Sequence, residues 1–253
     1  MRLDVERHGK GPALVLLHGW GMHSGAWDEL VPSLAERFSV HAVDLPGHGR
    51  SAAITPLSLD AATDALIVQM PGDAIVCGWS LGGLLAQRLA LRAPGRLRGM
   101  VLVASTPCFV ERDDWPHGMK ASTLEEFATG LNEDREVTLA RFVRLNAVNG
   151  TRSREAIRAF TGRLAARGTA SATGLAATLD WLRSADLRGD AASIRVPTHV
   201  IHGARDVLAP VAAGRWLATA IPGAVLLEIP DAAHLPFFTH RDAFVRTLET
   251  FVG

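Results

Sequence analysis

Ser80 stands in the segment Gly78-Trp79-Ser80-Leu81-Gly82, where a glycine lies two positions before the serine and another two positions after it. An apolar, strand-like run, Ala74 to Cys77, precedes this segment, and a helix-like run, Leu84 to Ala93, follows it. A sharp strand-to-helix turn strains the residue at its centre, and small flanking residues let strand and helix approach closely. The pattern predicts that Ser80 presents its hydroxyl as a nucleophile. A plain strand-to-helix turn is the alternative.

A serine hydroxyl needs a general base, and the base needs an acid to orient it. His234 follows the last strand-like run, in Asp231-Ala232-Ala233-His234, and Asp206 follows the run before it. Loops at the carboxyl ends of parallel strands share one crevice, so these side chains can converge on Ser80. We predict His234 as the base and Asp206 as the acid, with Asp44 and Asp231 as rival acids.

An oxyanion formed at Ser80 needs two backbone N–H donors. The residue after the nucleophile, Leu81, is predicted to supply one donor. The early loop His18-Gly19-Trp20-Gly21 follows the first long strand-like run, and Trp20 is predicted to supply the other. We expect His18 to brace this loop by hydrogen bonding rather than to transfer protons.

These residues require an alternating framework to position them. Short aliphatic runs predict six strands of a mainly parallel sheet that is buried on both faces, at Ala13–Leu17, Val40–Val43, Ala74–Cys77, Met100–Ala104, Thr198–Ile201 and Val225–Ile229. Helical periodicity between them predicts a doubly wound α/β fold, with helices such as Trp27–Phe38, Leu84–Ala93, Ala212–Ala220 and Arg241–Phe251.

The alternation stops after the fourth predicted strand. Residues 108–187 show only helical periodicities, such as Leu124-Phe127-Leu131 and Leu139-Phe142-Val143. We predict a helical cap over residues 108–187, inserted into a core formed by residues 1–107 and 188–253.

Composition excludes several classes of protein. The 253 residues include 26 basic and 26 acidic side chains, and 48% of them are apolar, as in ordinary globular proteins. Nothing in this balance indicates a nucleic-acid or membrane partner, and the N-terminal residues lack the apolar stretch of a secretion signal. We expect a cytoplasmic protein in which Cys77 and Cys108 are free thiols. There is no clustered Cys/His pattern for a structural metal.

Five motifs together resemble the α/β-hydrolase superfamily in their chain order: HGWG, DLPGHGRS, GWSLGG, HGARD and AAHLPF. The segment ASTPCFVERDDWP, residues 104–116, narrows the resemblance to the BioH family, the pimeloyl-acyl-carrier-protein methyl ester esterases of biotin synthesis. This resemblance implies an α/β-hydrolase fold and hydrolysis of a methyl ester at the far end of a carrier-bound pimeloyl chain. It also implies a monomeric enzyme that needs no cofactor and no metal.

The same resemblance implies roles for residues of the cap. The acyl chain is expected to contact Trp20, Ser80, Leu81 and His234, together with Phe142, Val143, Arg144, Leu145 and Asn146. The acidic carrier protein is expected to dock on Arg141, Arg154 and Arg158, while Arg135 and Arg144 are open candidates for the same surface.

Charge gives this docking surface separate support. Between residues 141 and 167 there are seven arginines and one acid, Glu155, in a chain that is neutral overall. A solvated helix face is the alternative explanation.

For the function of the whole protein, the alternatives are a broad short-chain carboxylesterase or lactonase, a carbon–carbon bond hydrolase, a non-catalytic ligand receptor and a carrier-protein adaptor without catalysis.

Overall fold

A central sheet of seven strands forms the framework of the protein, which is described by a computed structural model over residues 2–55, 58–146, 148–150, 158, 160–162 and 169–252. Six strands run parallel, and β1 pairs antiparallel with β3 at one edge. The spatial order is β1-β3-β2-β4-β5-β6-β7. The strands are β1 Val5–His8, β2 Ala13–Leu17, β3 Ser39–Val43, β4 Ala74–Trp79, β5 Leu97–Val103, β6 Thr198–Gly203 and β7 Val225–Ile229.

Burial follows position in the sheet. All six residues of β4, the middle strand, are buried, which is why this strand is a continuous apolar run. By contrast, β1 and β7 lie at the edges and are partly exposed. The predicted parallel sheet is confirmed. The edge strand β1, with the sequence VERH, was not predicted because it lacks an apolar run.

Helices cover the sheet. Within the described residues they are α1 Val31–Leu34, α2 Leu59–Gln69, α3 Leu81–Arg92, α4 Ala121–Glu133, α5 Arg135–Leu145, α6 Ala172–Ser184, α7 Val211–Ala220, α8 Pro236–Thr239 and α9 Arg241–Glu249. Short 3-10 helices occupy Ser24–Trp27, Gly49–Ser51, Pro94–Arg96 and Arg188–Ser193. Among these helices, none has both the length and the apolar character needed to cross a bilayer.

One predicted helix is wrong in extent. The segment Trp27–Phe38 is divided into a 3-10 turn that ends at Trp27 and a single α-turn, α1, which has a proline in its first turn. Trp27, Leu34 and Phe38 are nevertheless almost fully buried. Their apolar spacing therefore reflects packing onto the core rather than one long helix. Helix α2 was not among the helices named from the sequence.

The helices α4, α5 and α6 lie in the chain between β5 and β6, and we keep the name cap for the predicted residues 108–187 that contain them. Backbone hydrogen bonds join this segment to the core, among them Ser171 N–H to Gly47 O at 2.8 Å and Leu187 N–H to Pro107 O at 2.9 Å. The chain thus returns to the core on both sides of α6.

Candidate active site

Ser80 occupies the turn between β4 and α3. Its backbone angles are φ 53° and ψ −114°, a strained conformation for a residue with a side chain. A Cβ on Gly78 would lie 2.2 Å from the carbonyl oxygen of Gly82, and one on Gly82 would lie 2.2 Å from Leu17 O. Both glycines are therefore required by close backbone approach, as the sequence pattern predicts. The structure places Ser80 at the carboxyl edge of the sheet.

His234 and Asp206 meet on neighbouring loops after β7 and β6. The distance between His234 Nδ1 and Asp206 Oδ2 is 2.7 Å. The other carboxylate oxygen accepts hydrogen bonds from the N–H groups of Leu208 and Ala209, both at 2.9 Å. A Cβ on Gly203 would lie 2.2 Å from Ala233 O, so this glycine lets the two loops touch. The carboxylate is thereby fixed and directed at the imidazole.

The other imidazole nitrogen, Nε2 of His234, is buried and has no hydrogen-bond partner among the described residues. Because Nδ1 faces a carboxylate, the neutral ring holds its proton on Nδ1, which leaves Nε2 as an acceptor. Ser80 and His234 line the same cavity. This arrangement suits a general base that takes the serine proton.

The backbone of His234 is held from two sides. The indole N–H of Trp79 donates to His234 O at 2.9 Å, and His234 N–H donates to Asn146 O at 3.0 Å. Trp79 belongs to the core and Asn146 follows α5 of the cap. The position of the imidazole therefore depends on both regions.

The predicted oxyanion donors lie on two segments that touch. Leu81 is the first residue of α3, and a helix N-terminus offers N–H groups that lack partners within the helix. Trp20 follows β2, and the close contact of Gly82 with Leu17 brings the start of α3 against the end of β2. The side chain of Trp20 donates from Nε1 to Leu175 O at 3.0 Å, which fixes this loop to α6.

Two buried histidines brace the loop of Trp20. His18 Nε2 accepts from Leu45 N–H at 3.0 Å, and His48 Nε2 accepts from Gly21 N–H at 3.2 Å. Burial lowers the pKa of His18 to about 3 and the pKa of His48 to about 4, so both rings are neutral at pH 7. These contacts agree with the expected bracing role of His18. His48 had not been predicted, although it lies in the DLPGHGRS motif.

The rival acids are engaged elsewhere. The carboxylate of Asp44 accepts from the N–H groups of Ser24 at 2.6 Å and Arg50 at 2.8 Å. Asp231 lies 3.1 Å from the imidazole of His240. Asp206 is the acid that the structure brings to His234.

A further buried histidine lies beside Asp206. His202 Nε2 is 2.8 Å from Ala209 O and 3.6 Å from Asp206 Oδ2. Burial lowers the pKa of His202, so the neutral ring donates from Nε2 to the carbonyl and supports the loop that carries the acid. Sequence reasoning missed this contact. The signal available was the position of His202 in the HGARD motif, at the end of β6.

The cavity at Ser80 is mainly apolar, and most of its walls come from the cap. Ser80 is 5% exposed and Trp20 is 1% exposed. Beyond Ser80, His234 and Trp20, the walls are apolar side chains: Phe109, Met119, Leu124, Phe127, Phe142, Leu179, Leu182 and Leu208. Most of these wall residues were not predicted, because an apolar residue at helical spacing reads the same in a core as in a cavity.

The predicted cap contacts divide into two groups. Phe142 lies in the cavity wall, with its ring 4.9 Å from that of Trp20 in an edge-on arrangement. Val143 and Asn146 are buried and Leu145 is half-buried, but these three residues are not part of that wall. Arg144 is exposed, which places its charge away from the apolar cavity.

The predicted docking arginines are placed in part. Arg141 is exposed on α5, pairs with Glu126 at 2.8 Å, and lies 5.8 Å from the ring centroid of Phe127. Arg158 is exposed, and Arg135 is partly exposed at the start of α5. Arg154 lies outside the described residues. Cys77 and Cys108 are buried free thiols, as expected.

Comparison with known proteins gives the class of the chain. The model of the alpha/beta hydrolase family matches residues 14–247. A bromoperoxidase from Bacillus anthracis has the same fold, with a TM-score of 0.89 and 26% identity over 99% of this chain and 95% of that one. The predicted fold class is therefore confirmed.

Curated relatives are more similar in sequence. The pimeloyl-[acyl-carrier protein] methyl ester esterase of Chromobacterium violaceum is 44% identical, covering 98% of this chain and 97% of the relative. The protein of the same name in Nitrosomonas europaea is 45% identical, with 96% of each chain covered. The chain thus belongs to the alpha/beta hydrolase family and, within it, to the family of pimeloyl-[acyl-carrier protein] methyl ester esterases.

Proposed function

We propose that this protein is a serine carboxylesterase that hydrolyses the methyl ester of a pimeloyl chain carried on acyl-carrier protein, and that it thereby serves biotin biosynthesis. The observation that carries the chemistry is the 2.7 Å contact between Asp206 and His234, whose side chain lines one cavity with Ser80. The substrate is supported by the names of two relatives, which are 44% and 45% identical to this chain over nearly its whole length.

In the proposed acylation step, Nε2 of His234 takes the proton from Ser80 as Oγ attacks the ester carbonyl carbon. The negative charge that develops on the carbonyl oxygen is held by the N–H groups of Leu81 and Trp20. The C–O bond to the methoxy group then breaks, and the imidazolium donates its proton to the leaving oxygen. Methanol departs and the acyl chain remains esterified to Ser80.

Deacylation repeats these roles with water. His234 takes a proton from a water molecule whose oxygen attacks the acyl-serine carbonyl, and the same two N–H groups hold the second oxyanion. When the bond to Ser80 breaks, His234 returns the proton to Oγ and the free carboxylate leaves. Asp206 keeps the proton of the imidazole on Nδ1 and stabilises the imidazolium in both steps.

The apolar cavity suits the methylene chain between the two carbonyl groups of the substrate. Phe142, Phe127 and Leu182 contribute only hydrocarbon surface, and burying each methylene against such walls contributes about 0.8 kcal/mol. A charged free carboxylate would lose its solvation there, which favours the ester over the product.

We further propose that the acyl-carrier protein docks on the cap through the arginines that follow α4. These are Arg141, Arg154 and Arg158; Arg141 and Arg158 are exposed, Arg154 lies outside the described residues, and the exposed Arg144 is a further candidate. Arginine forms strong charge-assisted bonds with carboxylates and phosphates. We place this monomeric enzyme in the cytoplasm, where its two thiols stay reduced.

The first experiment compares two substrates and two proteins. Hydrolysis of the pimeloyl methyl ester on acyl-carrier protein is measured against hydrolysis of methyl butyrate, with the wild type and Ser80→Ala. We expect the wild type to have a kcat/KM at least tenfold higher for the carrier-bound ester and Ser80→Ala to lose both activities while keeping its thermal unfolding midpoint.

Equal or higher kcat/KM on methyl butyrate would instead identify a broad short-chain carboxylesterase. Full hydrolysis by Ser80→Ala would contradict the serine mechanism.

A further inference from the structure

Ser105 lies two residues after the end of β5 and is fully buried. Its hydroxyl donates a hydrogen bond of 2.9 Å to the backbone carbonyl oxygen of Ser80. The strands β4 and β5 are neighbours in the sheet, so this contact reaches the backbone of the nucleophile from the adjacent strand. The reaction steps proposed above do not involve the Ser105 hydroxyl.

The end of β5 holds both polar backbone groups of Ser80. The N–H of Ser80 donates to Val103 O at 2.9 Å, while the carbonyl oxygen of Ser80 accepts from Ser105 Oγ. The backbone at Ser80 is strained, with φ 53° and ψ −114°, and strained residues persist only where the surrounding contacts fix them. The end of β5 therefore supplies contacts that hold this conformation on either side of the Ser80 Cα.

A second strained residue precedes Ser105. Ala104 has φ 46°, a left-handed conformation that is uncommon for a residue with a side chain. Its N–H donates to Ile201 O of β6 at 2.8 Å. The chain thus turns sharply at Ala104 while it is held by β6, and the hydroxyl of the next residue reaches Ser80.

Gly83, the last glycine of the GWSLGG motif, makes room for this contact. A Cβ on Gly83 would lie 2.4 Å from both Cβ and Oγ of Ser105. Any larger residue at position 83 would displace the Ser105 hydroxyl from the carbonyl of Ser80. The close approach of Ser105 therefore gives a physical reason for a glycine at this position.

The carbonyl of Ser80 and the N–H of Leu81 belong to one peptide group. In a planar trans peptide the C=O and N–H bonds point in opposite directions, so fixing the carbonyl oxygen also fixes the direction of the N–H. A hydrogen bond to the carbonyl oxygen polarises the same peptide group and strengthens its N–H as a donor. Leu81 N–H is one of the two proposed oxyanion donors, and such donors stabilise the developing charge best when they are already oriented.

We infer that Ser105 is a positioning residue of the oxyanion hole, which orients and polarises the N–H of Leu81 through the carbonyl of Ser80. This inference rests on the proposed function. The hydroxyl acts on the peptide group that faces the ester carbonyl, so its contribution to kcat should be the same for every acyl chain.

The test removes the hydroxyl with Ser105→Ala and weakens it with Ser105→Cys, which keeps nearly the same shape but donates poorly. The matched control is Thr198→Val. Thr198 is also buried, and its hydroxyl donates to the backbone carbonyl of Val196 at 2.7 Å, but it lies at the start of β6, away from the carboxyl edge of the sheet.

Two readouts are compared in each variant. The first is kcat and KM for methyl butyrate and for the carrier-bound pimeloyl methyl ester. The second is Ki for propyl trifluoromethyl ketone. Ser80 Oγ adds to the carbonyl carbon of this ketone, the carbonyl electron pair moves to its oxygen, and His234 takes the serine proton. The adduct carries an oxyanion and has no leaving group, so its Ki reports on the oxyanion donors.

For Ser105→Ala we expect kcat to fall about tenfold on both esters, with KM within twofold of wild type and Ki raised about tenfold, a smaller loss than removal of an oxyanion donor causes. Ser105→Cys should show about threefold changes in kcat and Ki. Thr198→Val should lower the thermal unfolding midpoint but change kcat and Ki less than twofold. If Ser105→Ala fails to fold, Ser105→Cys carries the same comparison of kcat with Ki.

Several results would overturn the inference while the proposed function stands. These are an unchanged kcat and Ki in both Ser105 variants, a lower kcat with an unchanged Ki, or equal losses in Thr198→Val, which would indicate a general loss of stability. If wild type does not hydrolyse the carrier-bound ester, or if Ser80→Ala retains full hydrolysis, the proposed function fails and the inference on Ser105 fails with it.

Discussion

The loops at the carboxyl edge of the sheet and the helices of the cap contribute different things to one cavity. From the loops come Ser80, Asp206 and His234, each within five residues of the end of a strand. From the cap come apolar walls such as Phe127 and Phe142, together with exposed arginines. The loops therefore carry the proposed bond-breaking chemistry, while the cap supplies most of the apolar wall beside it.

The two regions are also held differently. The site loops are fixed by close backbone contacts, such as Gly203 against Ala233 and Gly78 against Gly82, that leave no room even for a Cβ. The cap helices meet the site through side chains and a few hydrogen bonds, including His234 N–H to Asn146 O. A substitution in the cap can therefore change substrate preference while the geometry at Ser80 persists.

The largest effect is expected from Asp206→Asn. An amide in place of the carboxylate favours the wrong imidazole tautomer and no longer stabilises the imidazolium, so kcat should fall about 10³- to 10⁴-fold on every ester. The measurement is steady-state hydrolysis of methyl butyrate and of the carrier-bound ester. Unequal losses of kcat on the two esters would contradict the hypothesis that the loops carry the chemistry while the cap selects the substrate.

A matched control for this variant is Asp44→Asn. Asp44 is buried, but it accepts backbone N–H groups of Ser24 and Arg50 rather than the imidazole of His234. The variant Asp44→Asn should lower the free energy of unfolding and leave the pH profile of kcat unchanged. A comparable loss of kcat in Asp44→Asn would reinstate Asp44 as a rival acid.

A smaller, substrate-selective effect is expected from reversing charge on α5. Arg141→Glu combined with Arg144→Glu should lower kcat/KM for the carrier-bound ester about a hundredfold at low salt, because complementary charge raises the encounter rate. Added salt should narrow this difference. Hydrolysis of methyl butyrate should change less than twofold.

Arg37→Glu is the control for charge reversal. Arg37 is 61% exposed and pairs with a carboxylate, much as Arg141 does at 55% exposure. It precedes β3, at the amino edge of the sheet, opposite the site. An equal loss for Arg37→Glu would show that overall charge, rather than the cap surface, sets the rate.

The sequence predicted the site residues of the loops more completely than those of the cap. Around Ser80 the close backbone contacts require particular residue types, since only glycine tolerates the contacts at positions 78 and 82. The aliphatic runs also located the ends of the strands. This placed Asp206 and His234 at the carboxyl edge of the sheet. The structure then brought these two side chains to hydrogen-bonding distance, as the order along the chain had predicted.

The cavity walls and the supporting polar contacts could not be predicted in the same way. Whether Leu124 and Leu179 face a filled core or an open space depends on how two distant helices cross, and apolar spacing is the same in both cases. The contact of His202 with Ala209 depends on a loop conformation. The helix predicted at Trp27–Phe38 failed because burial alone produced a helix-like pattern.

The smallest of these effects is a dependence of stability on pH. It is expected from buried histidines of the site loops and not from a histidine on the surface. Burial lowers the pKa of His18 to about 3 and that of His48 to about 4, whereas both titrate near 6.5 in the unfolded chain. The unfolded state therefore binds more protons at acid pH, so stability is complete above pH 6.5 and falls as pH decreases toward 4. At pH 5 each histidine should lower the free energy of unfolding by roughly 2 kcal/mol relative to pH 7.5.

Urea unfolding at these two pH values should show this loss, and His48→Gln, which cannot titrate, should reduce it by about 2 kcal/mol. His8→Gln, at a surface position, should leave the loss unchanged. If His48→Gln keeps the full pH dependence, the neutral, bracing state assigned to His48 is wrong.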